Sequence, residues 1–444
     1  MTDTTAHYKK MTETPLARLI ISLGLPTTIS MLVTSIYNMA DTYFVGGLGE
    51  SPQAATGVLF ALQAIIQAIA FMLGQGSGTM VSKALADKNV KEADSYVSTA
   101  FFSALFVGSL ITVFGLVFLT PMLNLLGSTE TILPYAKQYG ICVLASCPFC
   151  MASFVLNNNL RYEGMSLYAM VGLVFGGVLN IFGDWILVFV LKMGILGAGI
   201  ATAVSQFISF VILLIMFVKN AQSSIKFSAV SKTIATYLTI TKVGFPALIR
   251  QGLSSFSNGL LNNLTKPYGD AAIAAMSVVH RMSMFIMCVG LGIGQGFQPV
   301  ASFNYQAKKI ARVKRGLVIT MAVGIVLIGL IAAPCFVFAP QIVALFQKSE
   351  AVAKIAIPAM RYATISSLFL CLSVPINMLY QSTRQAGKSS FLSLLRSGLA
   401  FIPTLLITTR FFGVLGIQIS QPIADVLTGL ISIPFIISFL TKKE

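Results

Sequence analysis

Apolar residues run along this chain in long stretches, broken only by short segments carrying Lys, Arg, Gly or Pro. Twelve stretches stand out, at 16–44, 53–80, 96–121, 132–160, 167–191, 196–218, 234–263, 271–301, 316–340, 352–382, 390–410 and 415–440. About 20 apolar residues suffice to cross a bilayer as a helix. The pattern therefore predicts an all-α integral membrane protein with twelve transmembrane helices, spans 1 to 12.

The stretches repeat. Leu23-Gly-Leu-Pro26 recurs as Val243-Gly-Phe-Pro246, Asn38 as Asn258, Ala54-Ala55 as Ala274-Ala275, and Gly74-Gln-Gly76 as Gly294-Gln-Gly296, each shifted by 220 residues. Later pairs follow more loosely: Arg161 and Gly164 with Arg384 and Gly387, and Gly194-Ile-Leu-Gly197 with Gly413-Val-Leu-Gly416. Six spans per copy is an even number, so both copies have the same orientation. A pseudo-twofold axis along the membrane normal should relate the two six-helix bundles. The expected domains are residues 1–218, a cytoplasmic loop 219–233 and residues 234–444.

Charge changes the picture by fixing orientation. With both termini inside, Lys9, Lys10, Arg18, the Lys219–Lys232 loop and the other inner loops and ends carry twenty basic residues. The outer ones carry five: Lys192, Lys266, Lys348, Lys354 and Arg410. Basic residues favour the cytoplasmic side, so both termini are expected there. The formal net charge of +16 then records topology, and no nucleic-acid partner is expected. Composition agrees, with 56% hydrophobic and 10% charged residues excluding an ordinary soluble domain. The first apolar run is too long for a cleavable signal core and reads as span 1. All six cysteines lie in spans; Cys147-Pro-Phe-Cys150 has redox spacing but neither a second pair nor a nearby His, so packing is the plainer role.

Candidate chemistry lies in acids inside spans, namely Asp41, Asp184 and Asp425. An intramembrane carboxylate needs water, a proton, a cation or a polar partner. Tyr37 is one turn before Asp41, and Asn180 one turn before Asp184. Helical rise places Asp41, Asp184 and Thr202 of span 6 at comparable depth in the outer half of the first bundle. The repeat puts Leu261 opposite Asp41, and Leu399, Pro403 and Gln421 opposite Asn180, Asp184 and Thr202. The polar cluster thus belongs to one half. Two adjacent carboxylates have coupled titrations, which suits a proton carrier, and their oxygens with amide and hydroxyl oxygens also suit Na⁺. The competing reading is a polar network that only fixes helix packing. Met276, Met282, Met284 and Met287, with Phe285, form a soft patch on span 8 that can line an apolar pocket or simply pack. His280 has no second His at metal spacing. No P-loop stretch is present.

With these residues in hand, the sequence resembles the multidrug and toxic compound extrusion (MATE) family. The resemblance rests on the six-plus-six spans, the paired Leu-Gly-Leu-Pro and Val-Gly-Phe-Pro, Asn38-Met-Ala-Asp41-Thr, and the stretch from Gly74 to Asn89. It looks most like the bacterial DinF-related, MepA-like branch. That likeness implies a coupling-ion site for H⁺ or Na⁺ at Asp41, Asn180, Asp184 and Thr202, with Tyr37 and Asn157 supporting it. It further implies export of bulky, often cationic amphiphiles across the bacterial cytoplasmic membrane by a monomeric antiporter, with no cofactor and no enzymatic step. Another branch uses a Glu in span 7, which this chain lacks. Asp425 is not explained by the resemblance. The rival reading is a flippase for a lipid-linked anionic precursor, which would gather Arg250, Arg281 and Arg396 in one cavity; a membrane-embedded enzyme is a more distant one.

Overall fold

The computed structural model describes residues 4–346 and 349–442; Lys348 and Lys443, counted above among the basic residues, lie outside them. Every regular element among the described residues is a helix. Eleven helices are long and apolar enough to cross a membrane: Leu16–Gly46, Ser51–Ala86, Val90–Val117, Leu133–Tyr162, Ser166–Val190, Gly194–Asn220, Asp270–Gln306, Ile310–Val337, Glu350–Ser382, Ala386–Phe412 and Val414–Thr441. The remaining stretch, span 7, is also a single helix, Ile234–Thr265. Lys242, Arg250, Gln251 and a series of Ser and Asn residues interrupt its apolar run. At about 1.5 Å per residue its 32 residues still exceed the thickness of a hydrocarbon core.

The structure departs from the expected pattern in three ways. Spans 3 and 9 stop at Val117 and Val337, and short helices Leu119–Leu125 and Ala339–Phe346 follow. Pro121 and Pro340 open these short helices because proline fits a first turn but breaks a helix interior. Spans 5 and 11 each carry a π-helical stretch, Trp185–Val190 and Leu395–Leu399. An amphipathic helix, Thr4–Glu13, precedes span 1.

The repeat is visible in the turns. The helix ends at Lys88 and Lys308, and at Gly164 and Arg384, all have left-handed backbone (φ 58°, 57°, 74° and 62°). Each closes with the same bond pattern, as in Asn89 N to Ala84 O (2.8 Å) and Lys309 N to Asn304 O (2.9 Å). Gly164 therefore corresponds to Arg384. This corrects the pairing of Gly164 with Gly387, since the shift stays at 220 through span 4. It falls to 219 only by Gly194 and Gly413, again both left-handed (φ 63° and 57°).

The described residues gather in two compact units. One comprises residues up to Met11 with Ile29–Gln251; the other comprises Thr12–Thr28 with Gly252 onward. Within the first unit, span 4 packs against spans 2, 3 and 6. The segment after span 6 is tied down there as well. Fully buried Glu163 accepts hydrogen bonds from the backbone N–H groups of Gln222 and Ser223 and from the Ser223 hydroxyl. Asp94 accepts from the Ser224 N–H (2.6 Å) and lies 3.6 Å from Lys226 Nζ. Burial pushes the Glu163 carboxyl up to about 7; its three hydrogen bonds oppose the shift and the nearby charge of Asp94 adds to it.

Candidate functional site

The site is built where small residues let spans 4, 5 and 6 approach. Gly199 of span 6 faces Tyr139 of span 4, where a Cβ would come within 3.4 Å of the Tyr139 Cα. Gly183 of span 5 faces Ala201 at 2.9 Å by the same measure. Close backbones leave the polar side chains at one level buried against each other.

Tyr139 donates from its hydroxyl to Asp41 Oδ2 (3.1 Å). Its oxygen is 3.4 Å from Thr202 Oγ1, and Asn180 Nδ2 donates to the same Thr202 oxygen (3.2 Å). With the single phenolic proton given to Asp41, the Thr202 proton must point to Tyr139. The network then runs in one direction, from Asn180 through Thr202 and Tyr139 to the carboxylate. Tyr139, Asn180 and Thr202 are 3%, 2% and 5% exposed.

Asp184 lies one turn beyond Asn180 and is 0% exposed. Both its carboxylate oxygens, Asp41 Oδ1 and Asn180 Oδ1 are buried without a hydrogen-bond partner. Four such oxygens are costly, because a buried polar atom left unpaired forfeits its solvation. A proton or a cation on this set removes that cost, which a network serving packing alone would not need.

Sequence reading brought Asp41, Asn180 and Thr202 into one network, with Asp184 adjoining on the same helix. Tyr37 packs against span 5 at Gly177, where a Cβ would be 3.1 Å from its ring. Asn157 is engaged elsewhere: its amide donates to the Ala169 carbonyl (2.9 Å). Asn377 does the same to Ser389 O (3.1 Å), 220 residues on, so this bond belongs to the repeated fold. Tyr139 was missed by a search for acids; its signal is a phenol at the point where span 4 passes from Lys137 and Gln138 into the apolar run that begins at Gly140.

The second unit has a separate polar centre. Arg396 Nε donates to Asp425 Oδ1 (2.9 Å), which also accepts from Gln421 Nε2 (2.9 Å). Met276, Met284 and Met287 line a cavity beside this pair, whereas Met282 packs against the apolar core of spans 7, 8, 10, 11 and 12. Arg250 donates to Gln75 Oε1 (3.2 Å) in the first unit, and Arg281 is absent from the cavity lining. The arginine cluster that a flippase would need is thus not formed in either unit.

A model of the MatE family matches residues 26–186 and again 246–406, which restates the 220-residue repeat. Two curated relatives are called multidrug export protein MepA. The one from Staphylococcus saprophyticus is 25% identical over 413 residues, covering 93% of this chain and 91% of the relative. That from Staphylococcus aureus (strain NCTC 8325 / PS 47) is 26% identical over 435 residues, covering 97% and 95%. Among solved structures, the outward-facing conformation of a multidrug resistance MATE family transporter of the MOP superfamily superposes with a TM-score of 0.91 at 22% identity, covering 100% of both chains. A MOP superfamily transporter from Pyrococcus furiosus also gives 0.91, at 24% identity, covering 99% of this chain and 100% of that one.

Proposed function

Because this chain belongs to the MatE family, we propose that it exports small amphiphilic molecules, often cationic, from the cytoplasm in exchange for H⁺ or Na⁺. It is a multi-pass membrane transporter and not an enzyme. The observation that carries the reading is the one-sided site, where Asp41, Tyr139, Thr202 and Asn180 are hydrogen-bonded in series and Asp184 adjoins with both oxygens unpartnered. Loading that site with H⁺ or Na⁺ changes its charge, and the charge biases the first six-helix set between inward and outward openings. One elementary charge moving down 100 mV supplies about 2.3 kcal/mol, so ion entry can drive uphill efflux without ATP.

On this reading the sets at 1–218 and 234–444, joined by loop 219–233, form the two halves of a monomeric carrier in the bacterial cytoplasmic membrane, with both termini inside. The test is efflux from proteoliposomes under separately imposed Na⁺ and pH gradients. Asp41→Asn and Asp184→Asn should each insert normally yet lose gradient-driven efflux, because an amide keeps the volume but neither exchanges a proton nor supplies charge for Na⁺. Leu261→Met, at the position equivalent to Asp41, should retain it. Wild-type rates from both well-folded Asp variants would return the site to a packing role.

A further inference from the structure

Each half of the repeat contains a small cavity at the same place, and the two differ in a way the fold does not require. In the first half Gln63, Cys147, Cys150 and Gln206 line a narrow cavity, open in part to the surface. Their counterparts at a shift of 220, or 219 in the last span, are Ser283, Ser367, Leu370 and Asp425, and these line a larger cavity. The first cavity is occupied by amide side chains, with Gln206 accepting from Ser146 (3.1 Å). The second is larger and holds an ion pair. Arg396 stands where the first half has Gly176 or Gly177, whichever register is taken across the π-helical stretches, and Asp425 stands where it has Gln206. Identical folding in the first half does without both charges.

Asp425 Oδ1 already receives two donors, from Arg396 and Gln421, so its charge is neutralised and it offers little to an incoming cation. The guanidinium is less well served. Beyond Nε, its Nη1 meets, among the described residues, the thioether of Met287 at 3.1 Å. A guanidinium has five donors, a thioether is a weak acceptor, and carboxylate or phosphate oxygens are the partners that match its fork. The wall is mixed: Leu261, Met276, Met284 and Leu370 give it an adaptable apolar part, and Ser254, Ser257, Asn258 and His280 give it a polar one. We infer that this cavity binds an amphiphile carrying an oxyanion head on an apolar body, the head taking the outer edge of Arg396 and displacing Met287. Such a ligand differs in charge from the cations that the transport reading expects. The step from binding to export rests on that reading; the binding itself does not.

The test uses the full-length protein in phosphatidylcholine nanodiscs with no ion gradient, and follows the fluorescence of dansylaminoundecanoic acid and of its methyl ester. The acid should bind about tenfold tighter than the ester, the difference expected of one charge-assisted bidentate contact. Arg396→Met alone would strand Asp425 in a buried place, so the variant is the double one, Arg396→Met with Asp425→Asn. It should bind acid and ester alike. Equal affinity of the wild-type protein for both probes, or a preference for the acid kept by the double variant, overturns the proposal; the first comparison needs no variant to fold. Partly replacing the phosphatidylcholine by phosphatidylglycerol separates the sources of the head group. Displacement of the acid identifies a lipid phosphate as the natural occupant, and undiminished binding identifies a free amphiphile, either result supporting an oxyanion site. Because no gradient is applied, failure here leaves the coupling site untouched, and failure of gradient-driven efflux leaves this cavity untouched.

Discussion

A phenol that donates to a buried carboxylate sets the direction of every proton behind it, and Tyr139 holds that position between Asp41 and Thr202. Tyr139→Phe removes about the volume of one oxygen and two hydrogen bonds. At about 1 kcal/mol each, their loss should slow gradient-driven efflux by roughly thirtyfold while leaving the amount of folded protein unchanged. Asn157→Ala should do the reverse. It removes a second donor from the Ala169 carbonyl, which lies within the helix Ser166–Asp184, so it should lower the melting temperature in detergent, by a loss of about 0.5–1.5 kcal/mol, and Asn377→Ala, which also gives up its bonds with the Ser393 and Ser389 hydroxyls, should lower it further. Residue type and spacing made the acids and amides legible, because charge inside an apolar run is conspicuous. They did not separate Asn157 from the network, since an asparagine reads the same whether its amide serves a backbone carbonyl or a site. The repeat resolves it, as Asn157 has a working counterpart and Asp41 does not.

At the scale of helices, the repeated motifs explain themselves by what they touch. Within the first unit, the opening stretch of span 7 lies on the end of span 2, where a Cβ at Gly76 would overlap the Ile240 carbonyl and one at Gly244 would overlap the Met72 carbonyl. Within the second, the opening stretch of span 1 lies on the end of span 8, where a Cβ at Gly296 would overlap the backbone of Gly24. The Gly-Gln-Gly and Leu-Gly-Leu-Pro motifs are thus two sides of one backbone contact, used twice. Twelve helices were legible from apolar length alone. That the openings of spans 1 and 7 group with the other half's helices was not, because a glycine signals close approach without naming its partner. Gly244→Ala should cost about 1–3 kcal/mol or more by overpacking backbone on backbone. Gly252→Ala, with nothing within 4 Å of its Cβ, should gain up to about 1 kcal/mol from helix propensity. Thermal melting of the two variants side by side checks the contrast, and equal shifts would show that the contact at Gly244 gives way freely.

The first unit also carries two buried groups whose titration is shifted by folding, and they act with opposite signs. Glu163, pushed up to about 7 by burial against an ordinary 4.5, binds its proton more tightly folded than unfolded. Stability from it is present at low pH and is lost as pH rises through that window. His7, on the helix before span 1, is driven down to about 4 from 6.5 by burial and by Lys10, so its contribution is lost as pH falls from 6.5 toward 4. Each shift corresponds to about 3 kcal/mol at 1.36 kcal/mol per unit, and between pH 4.5 and 6.5 the two slopes nearly cancel. With Asp41→Asn and Asp184→Asn in place so that the ion site does not titrate, protein otherwise of wild-type sequence should therefore show in detergent an almost level melting temperature across that interval and a decline from 6.5 to 7. In that background Glu163→Gln exposes the histidine alone, and its melting temperature should climb from pH 4 to 6.5. His7→Leu exposes the acid alone and should fall from 4.5 to 7. If both variants kept the level profile, neither group would be held in its buried state, and the hydrogen bonds from Gln222 and Ser223 to Glu163 would not be fastening the segment that follows span 6.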